Sequence, residues 1–372
     1  MKIGIDTRIL TAKKTGVGYY INNLIPAILN LDKKNEYILF GTDLELKNPN
    51  CQQIIIDGKK KKFLSFLWKK FKYPKIEKII GEVDLLFYPN FTILPSDCSN
   101  IIIVIHDLSY LKFPQYVENK NLLFLKKEVP HALKKAKQIV ADSEATKKEI
   151  IKNFKISPEK ILVIYGAISN KFYKKCGSKD IKKNKEKYKI RHNYLLFVGT
   201  LEPRKNIIRL LEAYQDLSRS IRNKYQLVLA GSEGWQDKHI IKKIKEVSDS
   251  NNRVIVPGYV PEEDLPALYS GAYLFLYPSF YEGFGMPILE AMACKTPVIT
   301  SNTSSMPEVA GDAALLVNPS NIEEIKESII KIINDSALRT SLIKRGQKQI
   351  QKFSWTKSAE KLIKVFEKVY KG

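Results

Sequence analysis

The first half of the chain alternates short runs of apolar residues with longer segments of helical periodicity. The runs predict strands at 2–6, 36–41, 53–56, 84–89, 101–107, 138–143 and 160–166. Several of them are apolar throughout and rich in β-branched residues, which is typical of parallel strands covered on both faces. Apolar residues that recur every three or four positions predict helices between them, notably at 17–30, 119–136 and 143–153. This is the β-α-β pattern of a doubly wound domain.

The second half repeats this alternation. Predicted strands lie at 194–199, 226–231, 253–260, 273–278, 296–301 and 313–317. Predicted helices lie at 205–218, 237–247, 262–270, 287–294, 321–333 and 336–350, and a helical tail follows. The pattern therefore predicts a second doubly wound domain in the same chain.

The composition changes between the two halves, where residues 174–192 are polar, rich in lysine and without a strand. We interpret them as a link between an N-terminal domain, 1–173, and a C-terminal domain, 193–352. Residues 353–372 form a final helix. The expected fold class is α/β, with two Rossmann-like domains. Ligands of open α/β sheets bind beyond the carboxyl ends of the strands, so we expect a ligand in a cleft where the two domains face each other.

The length of the chain, its first residues and its cysteines indicate which class of protein to expect. The 372 residues, 44% of them hydrophobic, suit two domains. The chain opens on MKIGIDTRIL without the pattern of a signal peptide, so we expect a cytoplasmic protein. The longest uncharged apolar run, 265–281, is shorter than the roughly 20 apolar residues of a membrane span. Four cysteines without metal-ligand spacing predict reduced thiols and no metal site.

The net charge of +23 comes from 62 basic and 39 acidic residues. Such a charge favours anionic partners, although the dominance of lysine also fits a compositional bias of the genome. The positive charge is most concentrated in residues 59–78, KKKKFLSFLWKKFKYPKIEK. Apolar residues at 63, 64, 67, 68 and 71 share one side of a helix that is otherwise basic. The stretch predicts peripheral contact with an anionic membrane; the alternative is a surface helix whose apolar side faces its own core.

Two motifs in the first half follow strands. Thr15-Gly16-Val17-Gly18 opens a helix, where glycines let backbone N–H groups approach an anion; a tight turn is the alternative. His106 follows the strand at 101–105 and would point towards the ligand, where it could bind a sugar hydroxyl or act near the reacting carbon. The alternative for His106 is a structural role.

Arg204 and Lys205 follow the first strand of the second half, in the segment Thr200-Leu201-Glu202-Pro203-Arg204-Lys205-Asn206. Cations at the start of a helix are disfavoured by the helix dipole unless an anion neutralises them. A diphosphate fits, because lysine supplies a point charge and arginine a planar fork. Solvated surface charges are the alternative.

Two carboxylates, Glu282 and Glu290, flank the turn Gly283-Phe284-Gly285 in PSFYEGFGMPILEAMACKTPVI. The turn follows a buried strand and exposes backbone N–H groups at the start of the next helix. The two carboxylates could accept hydrogen bonds from vicinal hydroxyls, and the backbone amides between them could donate to phosphate. This set of groups suits a polyhydroxy ligand that carries phosphate. One glutamate would hold a sugar ring and the other a ribose.

This block resembles the Glu-x7-Glu signature of the retaining glycosyltransferases of family 4, which have the GT-B fold. The likeness extends to TGVGYY, the His-Asp pair after a strand, VGTLEPRKN, VPGYVPEEDLPALYSGA, SNTSSMPEVAGDAALLVNP and the terminal FSW segment. Within the family the chain is most similar to mannosyltransferase-like members of bacterial surface-polysaccharide clusters. The resemblance implies that the final helix crosses back to the N-terminal domain.

The resemblance also implies roles for individual residues. Glu282 would contact the donor sugar, Glu290 the ribose, and Arg204 and Lys205 the diphosphate, with His106 beside the sugar. The remaining donor-binding residues that the motifs imply are Gly16, Gly18, Gly199, Thr200, Tyr259, Val260, Gly283, Phe284, Gly285 and Met286. One departure is Thr200, which follows Gly199 where many members of the family carry an arginine.

The expected activity is transfer of a hexose, with retention, from a nucleotide-diphosphate sugar to a glycan or lipid-linked acceptor. Subfamily likeness favours GDP-mannose, with a UDP-sugar as the alternative. Without an Asp-x-Asp motif we expect no obligatory metal, and we expect no nucleic-acid partner. Two other functions remain open. A nucleotide-sugar 2-epimerase would convert donor without an acceptor, and a basic binding protein would bind nucleic acid or membrane without binding nucleotide sugars.

Overall fold

Thirteen strands and sixteen helices form over the described residues of the computed structural model, which are 1–10, 16–42, 44, 46, 48–56, 58–174, 176–234, 238–248 and 253–372. The strands are β1 Lys2–Asp6, β2 Glu36–Gly41, β3 Cys51–Ile55, β4 Leu85–Tyr88, β5 Ile101–Ile105, β6 Gln138–Ala141, β7 Ile161–Val163, β8 Asn193–Val198, β9 Tyr225–Ala230, β10 Val254–Gly258, β11 Leu274–Tyr277, β12 Val298–Ser301 and β13 Ala314–Val317. The helices are α1 Gly16–Leu31, α2 Gly58–Phe71, α3 Glu77–Ile80, α4 Ser109–Lys112, α5 Asn119–Lys135, α6 Glu144–Phe154, α7 Ser178–Lys187, α8 Ile207–Gln215, α9 Arg219–Lys224, α10 Lys238–Val247, α11 Leu265–Ser270, α12 Met286–Ala293, α13 Met306–Ala310, α14 Ile322–Asn334, α15 Ser336–Gln349 and α16 Trp355–Lys371.

The strands form two parallel sheets, one in each half of the chain. The first sheet has the order β3-β2-β1-β4-β5-β6-β7, and the second has the order β10-β9-β8-β11-β12-β13. Every residue of β4, β5, β6, β9, β11 and β12 is buried, which explains why these runs are mainly apolar. All thirteen predicted strands form with ends no more than three residues from the predicted ones, and the prediction of two Rossmann-like domains is confirmed.

The chain divides into two units that are not continuous in sequence. The first consists of Met1–Leu108, Lys120–Ala167 and Ser354–Gly372; the second consists of Ser109–Asn119 and Ile168–Phe353. Much of the stretch that the sequence analysis interprets as a link is the helix α7 of the second unit. The side-chain amide of Asn184 donates to the Asp264 carbonyl at 3.1 Å, and Lys187 pairs with the Asp264 carboxylate at 2.5 Å. These contacts attach α7 to the start of α11.

The last helix, α16, belongs to the first unit, as the resemblance implies. It packs beside α1 on one face of the first sheet, and its buried residues join the core formed by β1, β2, β4 and β5. The ring of Phe366 meets the ring of Phe87 edge-on, with centroids 5.4 Å apart. Lys137 and Ser358 add hydrogen bonds to backbone carbonyls at each end of the helix, to Val369 at 2.8 Å and to Tyr165 at 2.7 Å. The helix therefore completes the first core.

We expect Phe366→Ala to lower the free energy of unfolding of the first unit by about 3–5 kcal/mol, because it leaves a cavity between α16 and the sheet. Lys368→Ala, on the exposed side of the same helix, is the matched control and should change it by less than about 0.5 kcal/mol. Urea unfolding followed by near-ultraviolet circular dichroism measures both. Equal midpoints for the two variants would contradict the packing described for α16.

Candidate functional site

Two loops of the second unit meet because their strands are neighbours. In the second sheet β8 lies between β9 and β11, so the chain leaves β8 in one direction and returns on its other side. The loops that follow β8 and β11 therefore adjoin at the carboxyl edge, where open α/β sheets bind ligands. The first loop carries Arg204 and Lys205, and the second carries Glu282.

The Glu282 carboxylate lies between the two cations. The Lys205 ammonium donates to Oε1 and Oε2 of Glu282 at 2.7 and 2.9 Å, and also to the Tyr277 hydroxyl at 2.8 Å. One Arg204 nitrogen, Nη1, donates to Glu282 Oε2 at 3.0 Å, and the other, Nη2, donates to Glu202 at 2.6 Å. Two cations and two carboxylates thus form one buried to half-buried cluster, the Glu282 cluster.

The charges in this cluster control one another. Burial by itself raises the pKa of Glu282, but the charges of Lys205 and Arg204 outweigh it and lower the pKa to about 2. Burial lowers the pKa of Lys205, and Glu282 offsets part of that effect. Glu282 is therefore an anion at neutral pH. Sequence reasoning required an anion near Arg204 and Lys205, and in this structure that anion is supplied by Glu282 and Glu202.

Several polar residues that the sequence analysis did not select hold the two loops. Asn206 has a left-handed backbone, and its side-chain amide donates to the carbonyls of Pro278 and Pro319 at 3.0 and 2.6 Å. Ser304 and Ser305, which follow β12, both donate to the Glu282 carbonyl. Asn206, Ser304 and Ser305 could have been selected from the sequence because they follow predicted strands, as Arg204 does.

Glycines allow the backbone to approach closely at this edge. At Gly231, which follows β9, a Cβ atom would lie 1.9 Å from the Gly199 carbonyl oxygen, so only glycine fits there. Gly285 has a φ of 106° and directly precedes α12, whose first residue is Met286. Gly283 and Phe284 connect it to Glu282. The predicted turn of backbone amides therefore lies beside the Glu282 cluster.

Glu290 lies on α12 in a separate set of contacts. Its carboxylate is buried and accepts from the Tyr269 hydroxyl of α11 at 2.8 Å. Burial raises the pKa of Glu290 to about 7, although the hydrogen bond from Tyr269 acts in the opposite direction. The nearby charges of Lys171 and Glu262 pair with each other at 2.7 Å. Glu282 and Glu290 thus have opposite electrostatic environments within one short segment.

The other predicted residues of the second unit lie at the same edge. Thr200 is exposed after β8. Tyr259, which is half exposed, and Val260, which is buried, follow β10. These positions fit a ligand beyond the carboxyl ends of the strands.

In the first unit, His106 follows β5 and is held on both sides of its ring. Nδ1 lies 2.5 Å from Asp142 Oδ2, and Nε2 lies 2.9 Å from the Pro89 carbonyl oxygen. Burial lowers the pKa of His106, but Asp142 outweighs burial and the net pKa is raised. The raised pKa favours the charged imidazolium, whose two N–H groups would donate to these two oxygens, and the edge of Tyr20 packs on the ring at 5.1 Å. In this structure both ring nitrogens have protein partners.

The glycine motif of the first half lies partly outside the described residues, which exclude Thr15. Gly16 begins α1, and Gly18 is buried in its first turn and accepts from the Asn22 side chain at 2.8 Å. Both glycines lie beyond the carboxyl end of β1, as the sequence analysis expects. Their role as ligands stays a prediction.

Comparison with known proteins agrees with this arrangement. Residues 178–349 match the family model described as glycosyl transferases group 1. O-antigen chain mannosyltransferase B of Escherichia coli is 36% identical over 280 residues, which cover 75% of this chain and 73% of that protein. Among solved structures, sucrose-phosphate synthase of Thermosynechococcus elongatus has a TM-score of 0.77 at 20% identity, over 99% of both chains. Anabaena Alr3699/HepE, solved with UDP and glucose, has a TM-score of 0.73 at 18% identity, again over 99% of both chains. At these identities the structural likeness shows the fold alone.

We expect Glu290 to make stability fall as pH rises. Its folded pKa of about 7 exceeds its ordinary value of 4.5, so the folded state binds the proton more tightly. Ionisation of Glu290 therefore lowers the free energy of unfolding by up to about 3 kcal/mol. This loss develops as the pH rises from about 4.5 to about 7. Glu290→Gln keeps an acceptor for Tyr269 and removes the titration. Melting temperatures of the two proteins should diverge between about pH 5 and pH 8, with the variant relatively more stable at the higher pH.

The exposed Glu263→Gln is the matched control, because it removes the same charge from the surface of the second unit. Its melting curve should stay parallel to that of the unmodified protein at each pH. If Glu290→Gln also stays parallel, Glu290 does not have the raised pKa described above.

Proposed function

Since the chain belongs to the group 1 glycosyltransferases, we propose that it is a retaining hexosyltransferase of polysaccharide biosynthesis. Its donor would be a nucleotide-diphosphate sugar, and its acceptor a glycan or lipid-linked glycan. The observation that carries the proposal is the Glu282 cluster, a buried carboxylate and two cations at the ligand-binding edge of a Rossmann-like sheet. We place the reaction in the cytoplasm, at the inner face of the cell membrane.

Arg204 and Lys205 are the proposed diphosphate ligands. When the glycosidic bond of the donor breaks, negative charge develops on the phosphate that leaves with the nucleotide, and fixed cations in a site with little water stabilise that charge. In this structure the same two side chains bind Glu282. We therefore propose an exchange of partners: the donor diphosphate takes over the cations, and the freed carboxylate accepts from hydroxyls of the donor sugar.

The electrostatics of Glu282 support a ligand role rather than a proton donor. A carboxyl group with a pKa of about 2 is ionised at neutral pH and has no proton to give to a leaving group. Retention would then follow the expectation for family 4, in which the acceptor attacks on the face that the phosphate leaves. The amides of the turn from Gly283 to Met286 would add hydrogen bonds to sugar and phosphate.

Glu290 is the proposed ribose ligand. The Tyr269 hydroxyl already orients one of its carboxylate oxygens, which leaves the other for a vicinal diol. Because burial raises the pKa of Glu290, hydroxyl donors of a ribose would stabilise its anion and lower that pKa on binding. Glu290→Ala should therefore weaken nucleotide binding more than it changes the choice of sugar.

The proposed donor is GDP-mannose. The support is the likeness to the E. coli mannosyltransferase, which covers about three quarters of both chains. The likeness of fold to Anabaena HepE, solved with UDP and glucose, makes a UDP-sugar the second choice. Metal independence belongs to the same proposal, and equal transfer rates with and without a chelator would support it.

A thermal-shift panel of GDP, UDP, ADP and dTDP, at equal concentration and without metal, tests the donor. We expect GDP to raise the melting temperature most, since a ligand at about one hundred times its Kd adds about 2.7 kcal/mol of stability. A larger shift with UDP would replace GDP-mannose by a UDP-sugar. Equal and negligible shifts with all four would contradict the transferase and favour a basic binding protein.

Glu282→Gln tests the exchange of partners. We expect transfer to fall about 10- to 100-fold, because the charged acceptor for the sugar hydroxyls is lost. The melting temperature should fall, since the buried Lys205 and the partly buried Arg204 lose a counter-ion. The rise on adding GDP should be larger than in the unmodified protein, because the diphosphate then has no competing carboxylate on Lys205.

Glu263→Gln again serves as the control, with unchanged transfer and an unchanged response to GDP. A smaller GDP response in Glu282→Gln than in this control would show that Glu282 assists the diphosphate rather than competes with it. The anomeric configuration of the product, read by NMR, tests retention in the same reactions.

A further inference from the structure

The helix α2 has its inward side fixed by three contacts. Trp68 is buried, its indole N–H donates to the Pro74 carbonyl at 2.8 Å, and the Arg8 guanidinium lies 5.2 Å from its ring. Lys61 donates to the Arg8 carbonyl at 2.8 Å, and Leu64 is buried. These residues tie α2 to the loop after β1. Part of the apolar side predicted from the sequence therefore faces the protein's own core.

The remaining apolar side chains of this segment point outward. Phe63, Phe66, Phe71 and Tyr73 are each more than half exposed. Phenylalanines so exposed are costly in water, and the described residues of the first unit leave more than half of each ring uncovered. The sequence analysis placed residues 63, 64, 67, 68 and 71 on one common face. The structure corrects this: Leu64 and Trp68 turn inward, whereas Phe63 and Phe71 turn outward.

Exposed lysines are interleaved with these rings. Lys59, Lys62, Lys69 and Lys70 are exposed, at helical spacings of three or four residues from Phe63 or Phe66. The Lys70 ammonium lies 5.8 Å from the centre of the Phe66 ring and 5.3 Å from that of Phe71. The helix contains no acidic residue. Its outer side thus presents aromatic rings within a field of positive charge, on the outside of a helix rather than in a groove.

We infer that this outer side, the α2 patch of Phe63, Phe66, Phe71, Tyr73, Lys59, Lys62, Lys69 and Lys70, docks the protein on an anionic bilayer. The rings enter the boundary between headgroups and acyl chains, and the ammonium groups contact lipid phosphates. None of the helices in the described part of the chain is long and apolar enough to cross a membrane. This inference concerns attachment and does not depend on the transfer chemistry.

The opposite face of the first sheet offers a matched control. The connections β1-α1-β2 and β3-α2-β4 run in opposite directions along the sheet, so right-handed crossovers place α1 and α2 on opposite faces. The helix α16 packs on the α1 face, and Lys361, Lys364 and Lys368 are among its exposed lysines. Their removal lowers the net charge as much as removal of three lysines from the α2 patch.

Flotation of the full chain with vesicles tests the inference. We expect binding to vesicles of phosphatidylcholine mixed with phosphatidylglycerol, no binding to phosphatidylcholine alone, and weaker binding as salt is raised. The triple variant Lys62→Gln, Lys69→Gln, Lys70→Gln should lower the partition coefficient about a hundredfold, since each lysine near the surface is worth about fivefold. The triple variant Phe63→Gln, Phe66→Gln, Phe71→Gln should lower it about a hundredfold or more, since each exposed ring that leaves water is worth about five- to tenfold.

The control variant Lys361→Gln, Lys364→Gln, Lys368→Gln should keep most of the binding. All three variants change exposed side chains, so melting temperatures near that of the unmodified protein are expected and show that each variant is folded. An equal loss in the α16 variant would mean that total charge, and not the α2 patch, attracts the vesicles. Equal binding to both kinds of vesicle, or α2 variants that lose affinity for single-stranded RNA but not for vesicles, would overturn the inference.

Discussion

The carboxylate of Glu282, held between Lys205 and Arg204, is the contact on which the candidate site depends. The three side chains come from loops more than 70 residues apart in sequence, and their ion pairs join the end of β8 to the end of β11. Removing such charges from water costs several kcal/mol for each ion, and only close pairing with further hydrogen bonds offsets the cost. Tyr277, Glu202 and the Tyr281 carbonyl supply those further hydrogen bonds. Apolar side chains could have joined the two loops without this desolvation cost. The presence of charged side chains therefore favours a role in binding a ligand.

Near this edge of the sheet, two buried carboxyl groups have pKa values that are shifted in opposite directions. Glu282 has cations as neighbours and a lowered pKa, whereas Glu290, eight residues later, has a tyrosine hydroxyl and a raised pKa. Burial acts on both in the same direction, so the difference comes from their partners. The donor sugar and the ribose both present hydroxyls, but the two carboxyl groups that would accept from them differ in pKa. The segment thus contains Glu282, which is ionised at neutral pH, and Glu290, whose ionisation hydrogen bonds from a ligand would favour.

Much of the fold could be predicted from the sequence, because parallel strands buried on both faces leave continuous apolar runs between polar segments. The edge that carries Arg204, Lys205 and Glu282 also followed, since each lies directly after such a run. The partner of the two cations did not follow, because nothing in the local pattern shows that Glu282 folds onto Lys205. The helix α7 was missed for a related reason: its lysine-rich sequence looks like a linker, and its attachment to the second unit comes from tertiary contacts such as those of Asn184 and Lys187 with Asp264. The orientation of α2 likewise depends on contacts that periodicity does not show, namely the hydrogen bond from Trp68 to Pro74 and the contacts of Trp68 and Lys61 with Arg8.

The return of α16 to the first unit has a consequence for how the molecule is made. The first core needs a helix that the ribosome produces only after Ile168–Phe353, the longer segment of the second unit. At typical speeds of translation that interval lasts roughly ten to forty seconds. During this time the apolar face beside α1, which Leu362 and Phe366 later cover, has no helix from this chain upon it. The nascent first unit is therefore a natural client for chaperones, and a ribosome that stalls in the second unit would release an N-terminal half with an open core.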